Sequence, residues 1–438
     1  MREIVTLHVG QAGVQIAEPL WELYTAEHNI RRDGVCENAT LGTKTLFSQA
    51  PDGHYKPRAL FIDTEPDAVS RFRRTTAGNL CAPNQFVTGK ESSASNASKG
   101  HYSSGKEIID EIVDQVRKQV EECSSVEGFQ IVHALGGGTG SGVTTLTAER
   151  LSHEFGKKRK VSFTVWPSTS IHQNTVEMYN AVLGTSHILQ HIDLTFAVNN
   201  QGMYAAAEAI TGSSELSYRD INQLAAHVIS AATAGKRHDV ASDVSLNKLL
   251  ASLAPYPRAH FSIPSFAQGA GSDGLVDRLW SSSAQLLATS ATENEQSSAK
   301  VASAALIARG IDSQSALSAQ ITSVVESRKD RFVEWSPQSY YSAVIPKAPS
   351  SLVNTKIPSA DVNMTQFTNS RLFDTLLKDV NTAFDIYYWK RAAVHWFVGE
   401  GMESGEFSEV REDGASLEKD YAELFTESAD TGEEDEDY

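Results

Sequence analysis

Gly136-Gly137-Gly138-Thr139-Gly140-Ser141-Gly142 places five glycines in seven positions. Glycine makes no side-chain contacts and is costly to order. Such a run points away from packing. It points toward positive φ and close backbone approach, with successive N–H groups converging on an anion. The flanks fit that use. Residues 129–135 (Phe-Gln-Ile-Val-His-Ala-Leu) read as a short buried strand, and Val143, Leu146, Ala148 and Leu151 begin a helix. A strand, a glycine turn and a helix N-terminus together make an anion site. A flexible linker would not be clamped between a strand and a helix.

The common phosphate loops do not match. A Walker A loop ends in Gly-Lys-Ser/Thr, and no lysine follows here. The dinucleotide pattern fails because Ser141 and Val143 stand where its third glycine would fall. In this setting the run resembles the signature of the tubulin family.

Composition sets the outer bounds. The 438 residues suffice for two or three domains, and 40% hydrophobic with 21% charged residues is ordinary for a soluble protein. No run approaches the ~18–20 apolar residues of a membrane span. Met1-Arg2-Glu3-Ile4 has no apolar core, so no signal peptide is expected. Cys36, Cys81 and Cys123 are odd in number and lack metal-type spacing, which suggests free thiols in a reducing compartment. A formal net charge of −17 argues against general nucleic-acid binding and favours basic partners or solubility alone.

Working outward toward the N-terminus, residues 2–9 alternate around Ile4, Val5, Leu7 and Val9 and meet Gly10-Gln11-Ala12-Gly13. A helical pattern follows. Taken alone this is an ordinary βα turn. Residues 9–16 (Val-Gly-Gln-Ala-Gly-Val-Gln-Ile) resemble the first nucleotide loop of α-tubulin, which implies that Gly10, Gln11, Ala12 and Gln15 face the nucleotide. Residues 31–57 read as a long loop. In α-tubulins that loop faces the lumen and carries an acetylated lysine. Here Ala39 stands in the lysine's place, so the modification is expected to be absent, with Lys44 as a displaced substitute the alternative.

Residues 59–66 form a strand ending in carboxylates, an arrangement suited to magnesium beside a phosphate site but equally to a solvated turn. The resemblance makes Glu65 the magnesium-side acid. In the following loop it implies nucleotide contacts by Ser93 and Asn96. The family has an acid where this chain has Ser92, an asparagine at Ser95, a serine at Ala134 and a threonine at Gln173. The phosphate-side shell is thinner than usual and is expected to hold metal weakly. Within the opening run, Gly137, Gly138, Thr139 and Gly140 are implied as the phosphate cradle. Glu177 matches an acid near the ribose, and Asn200, at the end of strand 196–200, matches a guanine-reading amide.

Residues 105–123 form an amphipathic helix. Ser217 and Asp220 make a capping box, and Ile221, Leu224, Ala225, Val228, Ile229 and Ala232 continue an apolar stripe to Gly235-Lys236-Arg237. Tyr218 and Asn222 share a face of this long helix. Without the resemblance they are a surface pair; with it they hold the guanine ring.

The family's proline–aromatic–proline motif recurs at Pro255-Tyr256-Pro257. It fixes the register of Ser245 and Lys248, where α-tubulin has two acids that activate water against a β-subunit's γ-phosphate. A carboxylate can orient water and take its proton, whereas an ordinary lysine is protonated at neutral pH. No catalytic residue is therefore assigned, and GTPase activity (the tubulin-type class of GTP hydrolases) stays uncertain.

Short strands are expected at 260–263, 302–307, 342–345 and 362–367. The resemblance implies that the Gly-, Ser- and Asp-rich stretch 267–282 covers the lateral-contact loop and that 345–357 is a long α-type insertion. Residues 371–424 carry the strongest late match, at 390–402 and 405–413, with two helices of acidic outer face expected and Gly414 interrupting the second at a cost of ~0.5–1 kcal/mol. Residues 426–438 read as a disordered acidic tail. The resemblance adds polyglutamylation there (Glu433, Glu434, Glu436) and a removable Tyr438.

The expected fold is α/β: a nucleotide-binding parallel sheet flanked by helices (1–199), an intermediate α+β domain (200–370) holding the central helix at about 218–237, a C-terminal helical ridge (371–425) and the tail (426–438). The resemblance implies GTP and Mg2+ as cofactors and β-tubulin and other dimers as partners. It also implies motors and microtubule-associated proteins at the ridge, and a cytoplasmic, cytoskeletal location. Two other classes stay open: a tubulin-like regulatory or capping protein that binds dimers without forming lattice, and an autonomous filament-forming GTPase like the bacterial cell-division protein.

Overall fold

The computed structural model describes residues 2–168, 174–238, 244–312, 314–336, 339–350, 352 and 355–426. Gln173, Ser351, Val353, Asn354 and the tail positions Glu433, Glu434, Glu436 and Tyr438 lie outside the described residues.

The strands are β1 (Glu3–Val9), β2 (Phe47–Gln49), β3 (Tyr55–Pro57), β4 (Ala59–Asp63), β5 (Phe86–Thr88), β6 (Val126–Ala134), β7 (Arg159–Trp166), β8 (Leu194–Asn199), β9 (Phe261–Gly269), β10 (Val301–Arg309), β11 (Tyr340–Ile345) and β12 (Val362–Ser370). Ten of them form one sheet in the order β11-β10-β12-β9-β8-β7-β6-β1-β4-β5. From β5 to β9 every pairing is parallel, as helical crossovers require. Only β12 runs antiparallel to its neighbours. The α/β architecture expected from the sequence is the one observed. The sheet does not stop at residue 199: β8 continues into β9 through Thr195–Phe261 and Phe196–Ser262.

Alternation along the strands builds a core on each face. On one side Ile4, Val132 and Phe61 pack with Trp21, Tyr24, Leu224 and Val228. On the other Val5, Leu7, Ile131 and Phe129 pack with Ile108, Ile112, Tyr179 and Phe373.

The central helix spans Tyr218–Arg237, and the Asp220 carboxylate accepts from both the Ser217 backbone N–H (2.8 Å) and hydroxyl (2.6 Å). Its single expected stripe is only part of its buried surface. Gln223, Ala226, His227, Ser230, Ala231 and Thr233 are buried too, because the helix is enclosed between the first helix (Gly10–Glu27) and the second half of the chain.

Three local expectations are corrected or narrowed. The loop 31–57 contains the antiparallel pair β2–β3 and a short 3-10 helix, Leu41–Thr45, on which Lys44 is exposed. The stretch 267–282 is not loop throughout, since β9 runs to Gly269 and Leu275–Arg278 is helical. Gly414 does not interrupt the last helix, which runs Glu406–Leu424; the glycine is buried against Asn381, whose Nδ2 would lie 3.0 Å from an added Cβ.

No helix among the described residues is long and apolar enough to cross a membrane.

Candidate functional site

Four loops at the carboxyl ends of β1, β4, β5 and β6 meet at a cleft of ≈ 580 Å³. Clefts at this edge of a parallel sheet are where α/β proteins bind ligands, and the volume suits a small organic molecule. The β1 loop supplies Gly10, Gln11, Ala12 and Gln15, and the β4 loop supplies Asp63, Glu65 and Asp67. The β5 loop supplies Ser92 to Ser95. The glycine run supplies Gly137 to Gly140, and Tyr218 stands at one side.

The glycines in the run divide into two kinds. An added Cβ would lie 2.5 Å from the Asn96 backbone N at Gly138, 2.4 Å from the Ala134 carbonyl at Gly140, and 2.2 Å from the Ala97 carbonyl at Gly142. Real side chains do not tolerate such approaches. These three positions are therefore glycine because protein segments pack against them, which overturns the expectation that packing plays no part. Nothing lies within 4 Å of a Cβ at Gly137. That position opens onto the cleft and leaves room for an anion. Positive φ is not used in the run either. Gly138 is right-handed (φ −66°), and the chain winds straight into a helical turn, Thr139–Val143, and the helix Thr144–Glu154. The positive φ occurs instead at Gly10 (+74°), Ala94 (+48°) and Ser95 (+55°), all on the cleft wall.

Buried polar side chains hold the loops. Asn180 donates from Nδ2 to the carbonyls of Ser95 (2.7 Å) and Gly136 (2.8 Å), while its Oδ1 accepts from Ala97 N–H (3.0 Å). It thus ties the β5 and β6 loops together. The His133 Nδ1–H donates to the Gly140 carbonyl at 2.8 Å, and its Nε2 faces the Thr164 hydroxyl at 3.0 Å. The β1 loop repeats the device. Trp21 Nε1 donates to His8 Nε2 (3.0 Å), leaving Nδ1–H for the Gly13 carbonyl (3.0 Å). Burial pushes His8 down to about 3 and His133 to about 4, so both rings stay neutral near pH 7. Thr139, Thr64 and Ser93 close a hydroxyl triangle, with Thr64–Thr139 at 2.7 Å and Thr64–Ser93 at 3.0 Å.

Of the site residues named from the sequence, Gly10, Gln11, Ala12, Gln15, Glu65, Ser93, Gly137, Gly138, Thr139, Gly140 and Tyr218 share this cleft. Asn96, Glu177, Asn200 and Asn222 are not among its lining residues. Asn96 turns away: its Nδ2 donates to the Trp396 carbonyl (3.0 Å) and its Oδ1 accepts from Ser98 N–H (2.9 Å). Glu177 lies against the run, its Cγ 3.6 Å from a Cβ built on Gly136. Asn200 is exposed at the start of its helix, and the adjacent Asn199 is the buried cap, accepting from Gly202 N–H at 2.8 Å. Ser92, Ser95 and Ala134, the neutral positions noted in the sequence, do line the cleft.

Sequence reasoning missed Asn180, His8, His133 and the charged groups Asp67 and Arg71, whereas Asp63 is one of the two carboxylates read at the end of strand 59–66. A cue existed for the helix: Arg71 falls four residues after Asp67 and three after Ala68, spacings that share a face. Asp63 is pushed up to about 6, mainly by burial.

Mg2+ fits this donor set. Asp63, Glu65 and Asp67 are hard oxygen donors, and a cation would offset the burial of Asp63. No group of three or more His, Cys, Asp or Glu among the described residues could hold a metal alone, so a ligand's oxygens would have to complete its shell.

Far from the cleft, Ser245 is buried and caps the helix Leu246–Leu253 by accepting from Lys248 N–H (3.2 Å). Lys248 is exposed, its Nζ 5.6 Å from the Tyr341 ring centroid.

A family model described as "Tubulin/FtsZ family, GTPase domain" matches residues 3–208, which carry all the cleft loops but not Tyr218. Along its whole length the chain is 39% identical to the Tubulin alpha-3 chain of Zea mays, with 100% of both chains covered. It is 38% identical to the Tubulin alpha chain of Trypanosoma cruzi over 99% of each, and 37% identical to the Tubulin alpha-1B chain of Physarum polycephalum over 100% of each.

Proposed function

This chain belongs to the tubulin family, and from that premise we propose that it is a GTP-binding, α-type subunit of microtubules that pairs with β-tubulin. The observation that carries the reading is the cleft itself: glycine-walled loops at the strand ends, an open face at Gly137, and an exposed aromatic, Tyr218, at the start of the central helix. Full-length colinearity with alpha chains supports the α assignment.

In this reading the N–H groups of Gln11, Ala12 and Gly137 to Gly140 face the phosphates, and the Tyr218 ring stacks on the guanine. Asn200 and Asn222 read the base edge, and Glu177, which lies against Gly136, faces the ribose. Glu65, with Asp63 and Asp67 beside it, would hold Mg2+, which supplies charge neutralisation at the phosphates. The nucleotide is held without exchange. Microtubules of the cytoplasm are the expected location. The acidic residues of the C-terminal helix (Glu406–Leu424) form the surface that motors and other microtubule-binding proteins grip.

The same reading makes the subunit a poor trigger of hydrolysis. Ser245 spends its oxygen on a helix cap, and Lys248 presents an ammonium where a water-activating carboxylate would be needed.

Co-expression with β-tubulin, followed by chromatography of the released nucleotide, tests the assignment. One GTP per copy of this chain and stable co-purification with β-tubulin are expected. A chain that binds preformed dimers but never replaces an α-subunit would instead establish a regulatory or capping protein.

A further inference from the structure

The charges lining the cleft are unevenly distributed. Among the described lining residues, Asp63, Glu65 and Asp67 are acids and Arg71 is the one base. The phosphate-side loops offer only neutral groups: the hydroxyls of Ser92, Ser93, Ser95 and Thr139, the methyls of Ala94 and Ala134, and backbone N–H groups. A nucleoside polyphosphate brings several negative charges into a wall that is itself acidic. Backbone dipoles favour anions only modestly, so a full positive charge in the cleft has a large effect on affinity.

Arg71 is placed to supply it. It lies on the helix Pro66–Arg73, four residues after Asp67 and three after Ala68, so all three share the face that lines the cleft. The neighbouring Arg73 faces elsewhere, its guanidinium 5.6 Å from the Phe86 ring centroid. Arg71 is exposed, and no described hydrogen bond or ion pair engages its guanidinium, not even with Asp67 one turn away. A free guanidinium presents paired donors that match phosphate oxygens.

We propose that Arg71 is a phosphate-binding residue of this cleft, contacting the phosphate chain of the bound nucleotide and sharing its charge neutralisation with Mg2+. The inference rests on the nucleotide-binding reading above. It also supplies a reason why a wall thinned to Ser92, Ser95 and Ala134 can retain its ligand: the charge comes from the helix after β4 rather than from the loops.

The test uses the full-length chain with whatever partner subunit accompanies it, after removal of bound nucleotide. GTP and guanosine affinities are measured for the wild type, Arg71→Ala and Arg71→Lys, with magnesium and with EDTA. The expected result is a loss of about 10- to 100-fold in GTP affinity for Arg71→Ala, partial recovery for Arg71→Lys, and no change for guanosine. The loss is larger in EDTA, where the arginine acts without the metal. Circular dichroism checks that the exposed substitution leaves the fold intact. Equal GTP affinity of wild type and Arg71→Ala overturns the proposal, and so does an equal loss for GTP and guanosine, which would place Arg71 at the base or ribose. Failure of the wild type to bind any guanine nucleotide would instead contradict the binding reading itself.

Discussion

The Glu27 carboxylate lies 2.6 Å from the Arg309 guanidinium, and both side chains are fully buried. Glu27 ends the first helix and Arg309 ends β10, so this pair locks the two halves of the chain together. Arg237, at the end of the central helix, binds the same carboxylate and donates to Ser230 O at 2.7 Å. Burial alone would push Glu27 up, but Arg237 and Arg309 hold it well below the usual carboxylate range. Removing its charge would leave two guanidinium groups buried without a counter-charge. Glu27→Gln should therefore cost about 3–5 kcal/mol of stability, read by chemical denaturation. A cost below 1 kcal/mol would mean that the cluster is relieved by water or by rearrangement.

Stability should fall on mild acidification. Five buried histidines sit below the ordinary 6.5: His28 at about 2, His8 at about 3, and His133, His227 and His260 at about 4, each mainly because burial disfavours the cation. The unfolded chain takes up these protons from pH 6.5 downward and the folded chain does not. The stabilisation is thus complete above 6.5 and is lost as pH falls toward 4. Asp63, raised to about 6, and Glu22, Glu127 and Glu406, also raised mainly by burial, work in the opposite sense, while Glu27, held low by its arginines, adds to the histidine effect. Thermal unfolding at pH 7, 6 and 5 should show a progressive drop in Tm; a flat profile would contradict the buried neutral rings.

Two glycines of the run should respond differently to alanine. Gly142→Ala drives a Cβ to 2.2 Å from the Ala97 carbonyl and should impair folding. Gly137→Ala meets nothing in the protein and should fold normally, yet weaken GTP binding by filling the space beside the phosphates. Proteolysis resistance and nucleotide retention, measured together on both variants, separate the two roles. Normal GTP retention in Gly137→Ala would remove that position from the cradle.

Ala94 adopts φ +48° on the cleft wall, a conformation that disfavours residues with a Cβ. Ala94→Gly should raise stability by about 1 kcal/mol if the loop keeps its conformation. The same substitution should leave GTP affinity unchanged or slightly lower it by loosening the loop. A destabilised variant would show that the observed turn is not strained.

Patterns confined to one element were legible before the structure. Ser217 with Asp220 and the spacing from Ile221 to Ala232 marked the central helix from Tyr218 to Arg237 without error at either end. The strand–turn–helix around Gly136 was equally plain. The supports of the site were not. Asn180 acts on Ser95, 85 residues away, and on Gly136, 44 residues away. His133 reads as a polar break in a strand until the Gly140 carbonyl is seen in front of it. Gly138, Gly140 and Gly142 were misread because the segments crowding them, at Asn96, Ala97 and Ala134, reach them only through the fold. Residue type and spacing cannot tell a glycine that admits a ligand from one that admits another loop. Asn96 shows the converse: matched by motif to the nucleotide, its side chain bonds to the Trp396 carbonyl instead.

The most direct test of the central claim is phosphate release during assembly of this chain with β-tubulin. If this chain holds its own GTP and presents Lys248 to its neighbour's nucleotide, polymer should form with little phosphate released, and Lys248→Glu should accelerate release. Rapid release of one phosphate per dimer by the wild-type chain would contradict the account.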